Sequence, residues 1–298
     1  MPALVAGIHV FKPVQCKDVD GRDKPGHDAV HLPQAYKIND GGNWMNRAIV
    51  SSLGATFILL SSPATAADIK VISAGAVRSV IAGMIEDYRK RSGDTFDFTV
   101  GTTGELRDVI ASGKPADLLI TSAPLMADLE KTGKLTAGSR TDLGRVGIGV
   151  AVRDGATAPD FSTPEAFRTM LLDAKSVAYT APELGGTSGV HLLALLKTLG
   201  IYDAVAKKAI HAKGGIDISQ KVARGEAEIG ITLISEIVPV KGARMAGPLP
   251  ESLQLWTVYA SAIPASSTQP AAARAFVAAL TSPAMAPRWT AGGFQPPK

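Results

Sequence analysis

From residue 69 onward the chain repeats one unit: a short apolar run, a small glycine-bearing loop, and then a helical period. Residues 69–73 (IKVIS) lead through Ala74, Gly75 and Ala76 into 77–91, where Val80, Ile81, Met84, Ile85 and Tyr88 recur at helical spacing. Residues 96–100 lead through Gly101-Thr102-Thr103-Gly104 into a helix that carries Leu106, Val109 and Ile110 and stops at Gly113. A third strand follows at 116–121 (ADLLIT), with a helix over 125–132. Strands separated by helices have no hairpin to pair them, so they line up in parallel and bury both faces under helices.

The plan then starts again. Residues 146–152 (VGIGVAV) read as one long strand, and 162–237 hold a helix at 164–172, a strand at 176–180, a glycine-rich turn, helices at 189–199 and 218–224, and a strand at 227–233. Another long strand spans 253–263 (LQLWTVYASAI), and an Ala-rich helix at 270–280 precedes a last helix near 284–290. If the two long strands cross between blocks, the chain makes two α/β lobes of roughly 100 residues each, a size that supports its own core. The expected division is residues 68–147 with 256–298 for lobe 1 and 148–255 for lobe 2. Two crossings make a hinge, and a hinge leaves a cleft.

The segment before this region reads as an export signal. Arg47 supplies a positive start, 48–60 an uncharged apolar stretch of 13 residues, and Ala64-Thr65-Ala66 a small-residue cleavage site, so the mature chain is expected to begin at Ala67 or Asp68. The apolar stretch is shorter than the roughly 20 residues that span a bilayer, and no stop-transfer charges follow it. A periplasmic protein with no stable membrane insertion is the expectation. Residues 1–44 contain KDVDGRDKPGHDAV, polar and aperiodic, and resemble a translated repeat element upstream of a gene; Met45 is the expected start. Residues 1–67 hold 6 of the 31 Lys and Arg and 5 of the 27 Asp and Glu, which leaves a net charge of 25 − 22 = +3. That charge is small and scattered, which argues against a nucleic-acid binder. The single cysteine, Cys16, leaves with the leader, so thiolate chemistry goes with it.

In open parallel sheets ligands sit beyond the carboxyl ends of the strands, where loops open into helices. Here those loops are 74–77, 101–104, 185–189 (GGTSG) and 213–216 (KGGI). Glycine admits a close backbone approach, Thr and Ser offer neutral hydroxyls, and a helix start offers unpaired N–H groups. Any one loop is explained as an ordinary N-cap. Four on the same sheet edge, in two lobes, point to an anion site built without cations.

Several stretches carry a resemblance: IKVISAGAVRSVIAGMIEDYRKRSG, TVGTTGELRDVIASGKPADLLITSAPLMADLEKTGKL, GGTSGVHLLALLKTLGI, GEAEIGITLISEIVPVKG and FVAALTSPAMAPRWTAGGF. Together they resemble the periplasmic molybdate-binding protein family of ABC importers, a branch of the type II periplasmic binding proteins. The resemblance implies a two-lobed fold with mixed, largely parallel sheets, a monomer that closes on a tetrahedral oxyanion, and a permease as partner. It implies no cofactor, since molybdate or tungstate is the cargo. Carried over residue by residue, its ligand positions fall on Ala76, Thr103, Ser188, Gly215 and Leu233. Two of these depart from the family, which commonly offers a serine hydroxyl at Ala76 and a tyrosine at Leu233. Each lost donor should cost about 1–3 kcal/mol unless Thr102, Thr187 or Thr232 substitutes. Arg78, two residues past the first loop, suggests an alternative: a guanidinium turned into the cleft would suit a small organic carboxylate.

Enzymes read less well. Residues 186–190 (GTSGV) resemble a nucleophile elbow, but that motif needs glycine at Val190. Leu195 stands where a zinc helix would pair His191 with a second histidine, Glu226 and Glu228 lie two apart near a strand start, and no phosphate-binding P-loop occurs. A transcriptional regulator would need a helix-turn-helix, which residues 1–67 do not contain. The expectation is therefore a binding protein.

Overall fold

The computed structural model describes residues 66–297; the signal sequence and leader fall outside them. In chain order the elements are β1 (Asp68–Ala74), α1 (Gly75–Ser92), β2 (Thr95–Gly101), α2 (Thr103–Ala111), β3 (Leu118–Ser122), α3 (Ala123–Lys131), β4 (Thr141–Val146) and β5 (Ile148–Arg153), then α4 (Pro164–Asp173), β6 (Val177–Thr180), α5 (Thr187–Thr198), α6 (Tyr202–Ala206), β7 (Ala209–Ala212) and α7 (Gly215–Ala223), and finally β8 (Ile229–Leu233), α8 (Ile234–Ile237), β9 (Ala243–Pro248), β10 (Thr257–Ala262), α9 (Pro270–Leu280) and α10 (Ala286–Ala291). Among the described residues no helix is long and apolar enough to cross a membrane.

Two five-stranded sheets result, in the orders β2-β1-β3-β10-β4 and β7-β6-β8-β5-β9. In each, the three strands joined through helices run parallel, and the fourth position is taken by an antiparallel strand, β10 in the first sheet and β5 in the second. The sheets are thus mixed rather than wholly parallel. The antiparallel strand of each enters directly from the other sheet: β4 ends at Val146 and β5 begins at Ile148, while β9 ends at Pro248 and β10 begins at Thr257.

The two long strands expected at 146–152 and 253–263 are both interrupted, for reasons visible at the crossings. Gly147 separates β4 from β5, and a methyl there would stand 3.1 Å from the Gln254 amide and 3.2 Å from the Trp256 ring. Gln254 bonds both backbone groups of Ile148, its Oε1 accepting the Ile148 N–H at 2.7 Å and its Nε2 donating to the Ile148 carbonyl at 2.9 Å. The second crossing therefore begins as a short 3-10 turn (Glu251–Leu253) and becomes a strand only at Thr257. A side-chain amide takes the place of a strand neighbour, and the two crossings lie side by side.

The C-terminal helices pack on the first sheet. Phe276 of α9 meets Tyr88 and Phe96 at ring-centroid distances of 5.1 and 4.6 Å, Phe294 packs on Tyr259 and Trp289, and Arg145 and Gln295 exchange backbone bonds. Asp117, buried just before β3, holds the entry to α9. Its Oδ1 accepts from the Ser267 and Thr268 hydroxyls and from the Thr268 and Gln269 amides, and its Oδ2 accepts from Lys70 N–H. Those bonds outweigh the desolvation of burial and hold its carboxyl below the ordinary range.

Candidate functional site

A cavity of about 330 Å³ lies between the two sheets, walled by the starts of α1, α2, α5 and α7 and by residues of β8, α8 and β10. Each of those helices begins where a strand or turn ends at a small residue. α5 starts at Thr187 and α7 at Gly215, earlier than their apolar periods suggest, so Thr187, Ser188 and Gly215 stand in first turns. Amides in a first turn lack an intrahelical partner, and they carry the positive end of the helix dipole.

Ala76, Thr102, Thr103, Thr187, Ser188, Gly215 and Leu233 all line this cavity. Arg78 does not: its guanidinium carbon sits 4.5 Å over the Phe98 ring, a cation–π contact on the first sheet's helical face, so the carboxylate clamp considered for it is corrected. Thr102 lines the wall, but its hydroxyl is occupied. It accepts the Glu105 N–H in a capping box, with Glu105 returning the bond to Thr102 N–H, and it donates to the Leu184 carbonyl. Thr232, the other substitute considered, donates to Glu236 at 2.9 Å.

The two sides meet across this cavity. Gly104 N–H donates to the Gly185 carbonyl at 3.2 Å, Thr103 and Thr187 hydroxyls stand 3.4 Å apart, and Ser79 Oγ donates to the Ser235 carbonyl at 3.0 Å. Gly185 needs glycine for its φ of +63°, and Gly104 needs it for space, since a methyl there would fall 2.5 Å from the Leu184 carbonyl oxygen. The cleft is closed.

Two groups in the wall escape the loop-based reading. Glu236, at 8% exposure, places its carboxyl against the start of α7, where Oε2 accepts from the Thr232 hydroxyl at 2.9 Å and lies beside Gly215. Room for it comes from missing side chains: a methyl at Gly215 would overlap Oε2 at 1.9 Å, and one at Gly75, on the other side of the cleft, would stand 3.3 Å from Oε1. Burial pushes the Glu236 carboxyl up to about 7, even though the Thr232 hydroxyl and the nearby Gly215 and Leu233 amides pull the other way. Tyr259 of β10, at 2% exposure, bonds Thr187; burial, and secondarily the charge of Glu236, pushes its phenol well above the ordinary value, so it stays protonated. Glu236 had a sequence signal, as the only charge in 229–240 (IGITLISEIVPV). Tyr259 had none, because a tyrosine in an apolar strand looks like core.

Gly215 was expected to face an oxyanion. The protein's own carboxyl stands against it instead. What remains open to a ligand is the first-turn amides at Ala76, Thr103 and Ser188, the Thr103, Thr187 and Ser188 hydroxyls, and the start of the Lys213 loop.

Comparison with known proteins agrees with this architecture. The chain is 32% identical over 253 residues to an aconitate isomerase of a Pseudomonas species, covering 82% of this chain and 93% of that protein. It is 26% identical over 198 residues to the molybdate-binding protein ModA of Escherichia coli K12, covering 65% and 76%. Among solved structures, the periplasmic molybdate-binding protein of Azotobacter vinelandii superposes with a TM-score of 0.65 at 18% identity, covering 77% of this chain and all of that one, and shares its two-lobed type II fold. The family described as bacterial extracellular solute-binding protein matches residues 69–295, and with that match spanning both sheets and the cavity between them, the chain belongs to this family.

Proposed function

We propose that this protein is the periplasmic receptor of an ABC importer, exported through the signal at 45–67, and that it closes lobe 1 (68–147 and 256–298) and lobe 2 (148–255) as a monomer on a small organic polycarboxylate. The observation that carries the ligand class is Glu236. With its carboxyl set against Gly215, and with Ala76 and Leu233 bringing no polar side chain, the cage that would suit a small tetrahedral oxyanion is depleted on one side. The free donors are spread over both lobes instead. A ligand with several separate carboxylates can reach them at once, and a cavity of about 330 Å³ has room for more than a five-atom ion. The relative named for aconitate, a tricarboxylate, supports the same class.

Molybdate or tungstate is the second reading, favoured by the relatives named for molybdate. Its weak point is that Ala76 and Leu233 bring no hydroxyl to a cage that would have to surround so small an ion. A thermal-melt panel of the mature chain with molybdate, tungstate, sulfate, citrate, aconitate and succinate tests the choice. At one hundred times its dissociation constant the true ligand stabilises the fold by roughly 2.7 kcal/mol. A shift with molybdate or tungstate and none with any carboxylate would refute the carboxylate reading in favour of the oxyanion.

A further inference from the structure

We propose that this cleft is also a proton-transfer site, in which Glu236 moves a proton between two carbons of a bound unsaturated polycarboxylate and so shifts its double bond. The inference rests on the carboxylate reading above and goes beyond binding. Its basis is placement. A receptor that only holds an anion gains nothing from a buried carboxyl in the wall, yet Gly215 lacks the side chain that would exclude this one, and a methyl at Gly75 would stand 3.3 Å from its other oxygen. Oε2 is anchored by Thr232 at 2.9 Å and lies against the start of α7, while Oε1 lies toward the Gly75 turn across the cleft.

The chemistry balances without a co-reactant. Glu236, ionised, takes a proton from a methylene next to the carbon–carbon double bond. The C–H pair becomes the new π bond, and the old π pair moves out over the conjugated carboxylates as a dienolate. The proton then returns from Glu236 to the far carbon of the three-carbon unit, so nothing is oxidised or reduced. The first-turn amides of α1, α2 and α5 face the carboxylates on which the added dienolate charge collects, and such fixed donors favour that extra charge over the ground-state anion. The hydroxyl pair of Tyr259 and Thr187 leaves one further neutral donor for the ligand. Closure of the cleft keeps bulk water from quenching the carbanion.

The other charged groups lining the cavity are engaged or peripheral to this transfer. Glu105 is held in the α2 capping box, and Asp217 accepts the Lys213 amide at 3.2 Å and lies 3.9 Å from Lys221. Lys213 contributes positive charge on the α7 side. With Glu236 held near 7, both protonation states are populated at neutral pH, as a group that must take and return a proton requires.

The test uses the mature protein with trans-aconitate, and separately cis-aconitate, in D2O, with calorimetry for binding and proton NMR for deuterium entering the methylene. At saturating ligand, deuterium enters and the isomers interconvert, with a rate that rises as pH passes through about 7. Glu236→Gln, also measured at saturation so that occupancy is equal, lowers exchange per occupied site at least about a hundredfold, the usual scale of a general base. Binding without exchange in the unaltered protein overturns the proposal and leaves the receptor reading intact. Exchange undiminished in Glu236→Gln overturns the role of Glu236. Failure of both aconitates to bind overturns the proposal, while the carboxylate reading then stands or falls on citrate and succinate in the melt panel. Should Glu236→Gln not fold, the pH profile of the unaltered protein decides, and a flat profile between pH 6 and 8 counts against the proposal.

Discussion

Gly104→Ala should separate closure of the cleft from stability of the fold. A methyl at Gly104 would stand 2.5 Å from the Leu184 carbonyl oxygen and 2.8 Å from the Gly185 Cα, and both are backbone atoms that cannot turn aside. The clash exists only while the lobes touch. Relieving it means holding the seam open by on the order of 1 Å, since unstrained contacts between carbon atoms lie near 3.5–4.0 Å. Overpacking of this kind costs about 1–3 kcal/mol. The Gly104 N–H to Gly185 carbonyl bond, 3.2 Å long, is lost with it, for about 0.5–1.5 kcal/mol more. The closed state alone bears the sum, about 1.5–4.5 kcal/mol, so the dissociation constant should rise by roughly tenfold to a thousandfold. The ligand-free protein should move the other way, because Ala replaces Gly inside α2 and favours the helix by about 0.5–1 kcal/mol. Calorimetric titration with the ligand from the melt panel, beside a urea melt of the unliganded protein, reads both quantities. Unchanged affinity, or a loss of unliganded stability that matches the loss of affinity, would refute the argument that this seam forms on closure.

Gly83→Ala, in the exposed middle of α1 where a methyl meets nothing within 4 Å, should raise the urea midpoint by the same helix increment and leave affinity alone. Asp117→Ala should destabilise the fold by about 2–4 kcal/mol in a chemical melt, since it strips buried partners from four residues. Because the Asp117 carboxyl is held below the ordinary range, its contribution is present above the unfolded pKa and is lost as pH falls through the folded one; the variant should show a weaker acid dependence in melts below pH 4. Glu236 has the opposite sign. Its carboxyl binds a proton in the folded chain that the unfolded chain has released, so stability should fall as pH rises from the ordinary carboxylate range to about 7, and Glu236→Gln should flatten that slope.

The alternation of strands and helices was legible in the sequence because each unit is local. Apolar runs such as 69–73 and helical periods such as Val80, Ile81, Met84 and Ile85 are decided within a dozen residues. The loops that open into helices were legible for the same reason, and of the eight residues that the loops and the family resemblance together suggested, all but Arg78 line one cavity. The antiparallel fourth strand of each sheet was not, since β10 pairs with β3 and β4 across more than a hundred residues and no local pattern encodes that register. Nor was the break at Gly147, whose cause is a glutamine 107 residues further on. At the site, residue types announced which donors existed, but tertiary packing decided which were free: Thr102 spends its hydroxyl on Leu184, Arg78 stacks on Phe98, and Thr232 spends its hydroxyl on Glu236. Hydrogen-bond capacity is a property of the residue; its vacancy is a property of the neighbours, and those are brought together only when both lobes have folded and met.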